Sequence, residues 1–272
     1  MLFRSAANRL QILAKTIPTH RDAAAAHLLA AWNAAQDAAK NSTSDGRYQE
    51  LLAEHLSLWP ASESADQARL WLGKDREAAG NRPAAIAAYA GVSRASPQFG
   101  LAIAALSRAV RQDLAALASS GQPVSESAAG AIRMFRQAIV GPENRWPERW
   151  TEADRAATLA AAELIATYRP GNASDAEDML RRALGASFDA PPEWRTAAQA
   201  QLVLALAAQG GRQEEALAEL QAIRSASTDQ MLAVLDGLSH VAPISNERTK
   251  TANAQLQAAA VAMLSGSRGE LT

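Results

Sequence analysis

Histidine has the widest chemical use of any residue type in this sequence, because an imidazole can bind a metal or carry a proton near neutral pH. The chain has four: His20, His27, His55 and His240. None belongs to a His-Glu-X-X-His motif, and His20 and His27 are seven residues apart with no carboxylate near them at ligand spacing. The sequence therefore predicts no metal site, and we expect the histidines on the surface or at contacts between helices.

The other side chains that could perform catalysis do not form a recognisable pattern. The sequence has no cysteine, no phosphate-binding P-loop, no dinucleotide-binding glycine motif and no serine in a nucleophile elbow. Glu214 and Glu215 are adjacent, so they would point to different faces of a helix and would not form an acid–base pair. We expect a protein with no enzymatic activity and no cofactor, and catalysis would need residues from a longer chain.

The distribution of charge favours a protein or peptide as partner over nucleic acid. Lys and Arg number 27 and Asp and Glu 28, for a formal net charge of -1, without the dense basic face that nucleic acids require. No apolar run approaches the roughly 20 residues that span a bilayer. The sequence determines neither the compartment nor the oligomeric state. The cytoplasm is the default, and an envelope location would follow if the chain were part of a longer protein.

Residues 64–97 contain the clearest structural pattern, two short helices joined by a tight turn. Ser64 and Gln67 have the spacing of a capping box at the start of the first helix. Small and apolar residues then recur at helical spacing, and they are Ala68, Trp71, Leu72 and Ala79 before the turn and Ala85, Ile86, Tyr89 and Val92 after it. Neither helix can bury its stripe alone, so the pair requires similar pairs beside it.

This hairpin resembles the tetratricopeptide repeat, a helix–turn–helix unit of 34 residues. The matching residues are Leu72, Gly73, Ala85, Tyr89 and Pro97. Arg69 and Arg76 depart from the repeat, where bulky aromatic residues are usual. Gly73 costs about 1 kcal/mol of helix propensity relative to alanine, which indicates that a neighbouring backbone packs closely there. The resemblance implies an all-α fold, an α-solenoid of stacked helix–turn–helix hairpins.

A small residue near the start of each second helix extends the repeat along the chain. Ala85, Ala131, Ala176 and Ala216 are spaced 46, 45 and 40 residues apart. Around them the periodicity predicts helices over 2–17, 22–40, 47–59, 98–118, 125–140, 151–168, 193–209 and 212–225. Ser174 and Glu177 suggest a second capping box, and two further helices within 228–265 are predicted to cap the end of the array.

The first 20 residues allow two interpretations. Residues 1–21 contain four basic residues and no acidic one, which is typical of a mitochondrial-type targeting segment. The alternative, which we favour, is an ordinary first helix of the solenoid. Residues 21–272 form the repeat-containing body under either interpretation.

The resemblance also implies a binding surface, because the first helices of tetratricopeptide arrays line a concave groove. The residues at groove positions include Leu70 and Lys74 in one repeat and Arg108, Arg111 and Gln112 in the next. Lys74 and Arg108 are equivalent positions, so a row of cations would suit an acidic peptide or a C-terminal carboxylate. In the alternative, these are ordinary surface charges that Asp75 and Glu77 neutralise.

A second candidate surface is the connector of residues 144–150. Trp146 and Trp150 are four residues apart and lie beside Arg145 and Arg149, a composition typical of binding hot spots. In the alternative, the two rings fill a gap between irregular repeats.

The sequence therefore predicts a non-catalytic scaffold or adaptor that binds a partner peptide or helix. A structural interpretation remains open, in which the chain is a helical segment of a larger multidomain or envelope-assembly protein.

Overall fold

The computed structural model describes residues 2–41, 46–223, 228–241 and 247–269. In this part of the chain there are α-helices and one short 3-10 turn, with no β-strand, so the all-α prediction is confirmed. The helices are α1 Leu2–Thr16, α2 Ala23–Asn41, α3 Arg47–Leu58, α4 Ala65–Ala78, α5 Arg82–Ala90, α6 Phe99–Ser119, α7 Ser125–Val140, α8 Glu152–Tyr168, α9 Ala173–Ala186, α10 Pro192–Ala207, α11 Gln213–Ala222, α12 Thr228–Val241 and α13 Glu247–Gly269.

The helices divide into two compact units, unit 1 (Met1–Asp113) and unit 2 (Leu114–Thr272). In unit 1 each of the helices α1 to α4 packs against the next one in sequence. In unit 2 the same is true of α7 to α10 and of α12, whereas α11 packs against α13, and α10 also contacts α8 and α12. Residues 1–20, for which the sequence allowed either a targeting segment or a first helix, contain α1. This helix packs along α2.

Most helices begin and end within a few residues of their predicted bounds, but neither predicted capping box forms. Ser64 makes no capping bond to α4, because its Oγ lies 3.1 Å from Nε2 of His55 instead. At the start of α9 the N-cap residue is Asn172, and no side chain caps the helix.

One capping box does form, at the start of α8. Asp154 donates its backbone N–H to Oγ1 of Thr151 over 3.2 Å, and Thr151 donates its own N–H to Oδ2 of Asp154 over 2.9 Å. The reciprocal bonds satisfy two backbone donors that the first turn of a helix leaves without partners.

The core of unit 1 lies between α1, α2, α3 and α4. It is built from small residues where the helices approach closely and from leucines between them: Ala7, Ala31, Ala34, Leu51, Leu52, Ala68 and Leu72. Trp71 and Tyr48 pack at its edge. On the other side of α4, the ring of Tyr89 from α5 covers Gly73. A Cβ at Gly73 would lie 2.6 Å from Cδ1 of that ring, so a side chain, and not the predicted backbone, explains the glycine.

The core of unit 2 contains larger residues between alanine-rich helices. Fully buried are Phe135, Ile139, Ile165, Leu180, Leu202 and Leu206. The recurring alanines are buried in both units, since Ala85, Ala131, Ala176 and Ala216 are each at most 5% exposed. The small residue is therefore a packing position at every one of these helix pairs.

Candidate interaction surfaces and polar clusters

The predicted groove residues of unit 1 fall into two environments. Lys74, Arg111 and Gln112 are exposed. Leu70 is 2% exposed and lies in the core. α4 buries Leu70 together with Ala68, so the side chain of Leu70 is not part of an accessible surface.

Arg108 forms a bidentate ion pair with Glu77. Its Nε and Nη2 donate to the two carboxylate oxygens over 3.0 and 2.9 Å, and the Tyr89 hydroxyl donates to the same carboxylate over 2.7 Å. These bonds, with Arg108 first, lower the pKa of Glu77. Burial, and then Glu77, raise the pKa of Tyr89. At Arg108 the structure therefore has the neutralised arrangement, in which Glu77 is the counterion.

The connector of unit 2 carries two stacked tryptophans. The rings of Trp146 and Trp150 are 6.1 Å apart and inclined by 17°. Trp150 is only 5% exposed, and Trp146 is half-buried. Trp150 therefore fills space in the interior, as the gap-filling alternative expects. Of the two rings, only Trp146 reaches the surface.

The arginines beside Trp146 are not the ones that its sequence neighbourhood suggests. Arg182 of α9 lies over the ring at 5.1 Å and Arg136 of α7 at 6.0 Å. Arg145 and Arg149 are exposed, and Arg145 lies 3.8 Å from Glu143. The cations that stack on the ring come from other helices, which a spacing argument along the connector could not find.

A buried polar cluster in unit 1 was not predicted from the sequence, and we call it the histidine cluster: His27, Glu54, His55, Trp59 and Ser64. His27 and His55 are both 0% exposed. Nε2 of His27 lies 2.9 Å from Oε2 of Glu54, and Oγ of Ser64 lies 3.1 Å from Nε2 of His55. Helical periodicity could have indicated that both histidines are buried, because each has the spacing of the apolar stripe of its helix. His27 lies between Ala24 and Ala31, and His55 lies one turn after Leu51.

The cluster does not have the chemistry of a metal site or of an activated nucleophile. In the described ranges no three His, Asp or Glu side chains are arranged to hold a metal ion. Ser64 contacts an imidazole, but Nδ1 of His55 has no hydrogen-bond partner, so no third group orients the ring as a general base requires. Burial also lowers the pKa of His55 to about 4, which makes it a weak base.

Unit 2 contains a comparable cluster around Glu177, which we call the arginine cluster. Glu177 accepts hydrogen bonds from Arg181 over 2.8 Å, from Gln209 over 2.8 Å, and from Arg212 over 2.9 and 3.0 Å. Burial tends to raise the pKa of Glu177, but these bonds outweigh it and lower the pKa to about 2. Glu177, expected at a helix start, instead ties α9 to the turn between α10 and α11.

No protein-family model matches the chain, and no curated protein shows significant sequence similarity to it. Among the described helices, none is both long and apolar enough to cross a membrane.

Proposed function

We propose that the chain is a non-catalytic scaffold of tetratricopeptide-like hairpins, stacked as an α-solenoid, that binds a segment of a partner protein. Sequential packing of neighbouring helices supports this proposal, as does the buried alanine at each helix pair. Repeat proteins of this kind stack similar units so that each unit contacts mainly its neighbours.

The observation that carries the proposal is the arrangement of charge on α4 and α6. The Arg108–Glu77 ion pair joins the two helices. Lys74 lies one turn before Glu77, and Arg111 lies one turn after Arg108, so each shares a face with the pair. Both residues are exposed, and Gln112 is exposed beside them. An acidic segment or a C-terminal carboxylate is the partner chemistry that such a surface fits.

The test is an affinity capture with mass spectrometry that compares the wild type with a Lys74→Glu/Arg111→Glu variant. Arg108 is left unchanged, because replacing it would also disturb Glu77 and Tyr89. Arg9→Glu/Arg21→Glu is the matched control, since it makes the same change in charge at exposed positions elsewhere in unit 1. We expect a partner that the wild type and the control retain and the Lys74/Arg111 variant loses.

Two results would contradict this proposal. Retention of the same partner by all three proteins would exclude the α4–α6 face as the site and would direct attention to Trp146. Capture of no partner by the wild type would favour the structural alternative.

Exposed apolar side chains in α1, and that of Ile17 just after it, favour that alternative. Leu2 is 86% exposed, Leu13 59% and Ile17 51%. Leu13 and Ile17 line a cleft of about 300 Å³ beside α2. As a segment of a larger protein, the chain would cover these side chains with another part of that protein. The intact mass of the native protein separates the two functions, because a much larger parent chain supports the segment.

A further inference from the structure

The histidine cluster encloses two imidazoles and an indole between α2, α3 and the turn that follows α3. The ring centroids of His27 and His55 are 5.6 Å apart, and that of Trp59 lies 5.0 Å from the first and 5.7 Å from the second. Both imidazoles are fully buried. A charge on either ring would therefore be held away from water and next to the other ring.

Each imidazole has a hydrogen-bond partner at only one of its two nitrogens. His27 uses Nε2 toward Glu54, and His55 uses Nε2 toward Ser64. The Nδ1 atoms of both rings are buried without a partner. A neutral imidazole tolerates this, since it has only one N–H, but an imidazolium has two. Protonation of either ring would thus place an N–H in the interior with no acceptor, which is unfavourable.

The charged groups around the two imidazoles come from three helices, α1, α3 and α4. Those that act on the two rings are Lys15 of α1, Arg47 and Glu54 of α3 and Arg69 of α4, together with each imidazole's effect on the other. The three cations all oppose a further positive charge. Glu54 is the only one of these groups that favours an imidazolium, and its carboxylate already accepts bonds from Lys15 and Gln11.

We propose that the histidine cluster makes the packing of α2 on α3 acid-sensitive, so that protonation of His27 and His55 opens this end of unit 1 while α8 to α11 stay packed. Opening lets water hydrate the imidazolium rings and supplies acceptors for both N–H groups of each. The contact between α2 and α3 thereby becomes a conformational device that responds to mild acid.

The pH range follows from the histidine pKa values. Burial lowers the pKa of both His27 and His55, to about 4 for His55, whereas an unfolded histidine has a pKa of about 6.5. Between these values the open state binds more protons than the packed one, so the packed state loses stability as the pH falls from 6.5 towards 4. Above pH 6.5 the stabilisation is complete.

The first test uses the unmodified full chain. Histidine ring NMR gives the titration of the two buried imidazoles. Hydrogen exchange with mass spectrometry, corrected for intrinsic rates, gives the protection of peptides from α2, α3 and α10. From pH 7 to 5 we expect protection in α2 and α3 to fall by at least about tenfold and that in α10 to stay within twofold.

Substitutions then assign the effect to the two rings. His27→Gln and His55→Gln should each reduce the loss of protection between pH 7 and 5, and the matched control His20→Gln should leave it unchanged. If a variant does not fold, the wild-type titration alone still decides the question.

Three results would overturn the proposal. The first is titration of both buried rings near 6.5 with constant protection. The second is loss of protection in α10 in step with α2 and α3, which would be global unfolding. The third is an undiminished acid response in folded forms of both glutamine variants.

Discussion

Glu54 in unit 1 and Glu177 in unit 2 each accept hydrogen bonds from three side chains, but the donors differ in whether their charge can change. Glu54 is bound by Lys15, Gln11 and the buried His27. Burial tends to raise the pKa of each carboxyl, yet the bonds lower it to about 2 in both clusters. Glu177 differs in having two arginines among its donors.

The comparison teaches that similar carboxylate clusters can respond to different pH ranges. An arginine stays protonated at any pH at which the protein is folded, so the arginine cluster responds only when Glu177 itself titrates. The histidine cluster has buried imidazoles, which titrate at milder acidity. The arginine donors are also partly exposed, at 40% for Arg181 and 35% for Arg212, whereas His27 is fully buried. Loss of the carboxylate should therefore cost more in unit 1.

The largest loss of stability is expected from removing the carboxylate of Glu54. Glu54→Ala leaves Nε2 of buried His27 without its partner, and we expect it to lower the free energy of unfolding of unit 1 by about 2–3 kcal/mol. Glu54→Gln is the matched control, because it keeps an acceptor oxygen, and it should cost less. Hydrogen exchange of α2 and α3 peptides measures both variants. Equal losses in the two would mean that the oxygen beside His27 does not matter.

Replacing a closely packed glycine should also destabilise unit 1 more than unit 2. Gly73→Ala places a methyl group against the rigid Tyr89 ring and should cost about 1–3 kcal/mol, and Gly73→Leu should cost more. Gly237→Ala in unit 2 meets the methyl groups of Leu204 at 2.7 and 2.8 Å, which a leucine can rotate away, so it should cost less. Gly130→Ala, with only Arg133 nearby at 3.9 Å, is the control. Thermal unfolding midpoints in the order Gly73, Gly237, Gly130, lowest first, are expected.

The arginine cluster should be less sensitive to mutation and to mild acid. Glu177→Ala leaves Arg181 and Arg212 able to reach water, so we expect a loss of about 1–2 kcal/mol in unit 2. Because the pKa of Glu177 is lowered from 4.5 to about 2, its contribution is complete above pH 4.5 and is lost as the pH falls towards 2. Exchange of α9 and α10 peptides in wild type and variant should thus differ by a constant factor between pH 7 and 5. A difference that shrinks in that range would remove the contrast with unit 1.

The smallest effect is expected at the Arg108–Glu77 ion pair. The Arg108 side chain is 51% exposed, so Arg108→Ala should destabilise unit 1 by less than about 1 kcal/mol. Glu77→Gln keeps an acceptor for the Tyr89 hydroxyl and should have a similarly small effect. Urea unfolding at low and high salt measures both, and the loss in Arg108→Ala should shrink in 1 M NaCl because salt screens exposed pairs. A loss as large as that of Glu54→Ala would show that exposure does not separate the clusters.

The sequence alone determined which segments are helical. Apolar spacing, prolines and glycines are local properties, so the predicted bounds of α1 to α11 lie close to those observed. The recurring alanines were also recognisable, because a buried small residue at each helix pair recurs at similar intervals in the sequence. The function, by contrast, is not indicated by a comparable sequence motif and stays a proposal.

Only the tertiary structure decided which polar side chains meet. His27 and His55 are 28 residues apart in sequence, Glu77 and Arg108 are 31 apart, and the arginine over Trp146 comes from α9. Ser64 and Glu177 have the local spacing of caps, yet each is engaged by a distant partner. The physical reason is that spacing fixes the face of one helix, whereas the meeting of two faces depends on how packed side chains set the distance and rotation between helices.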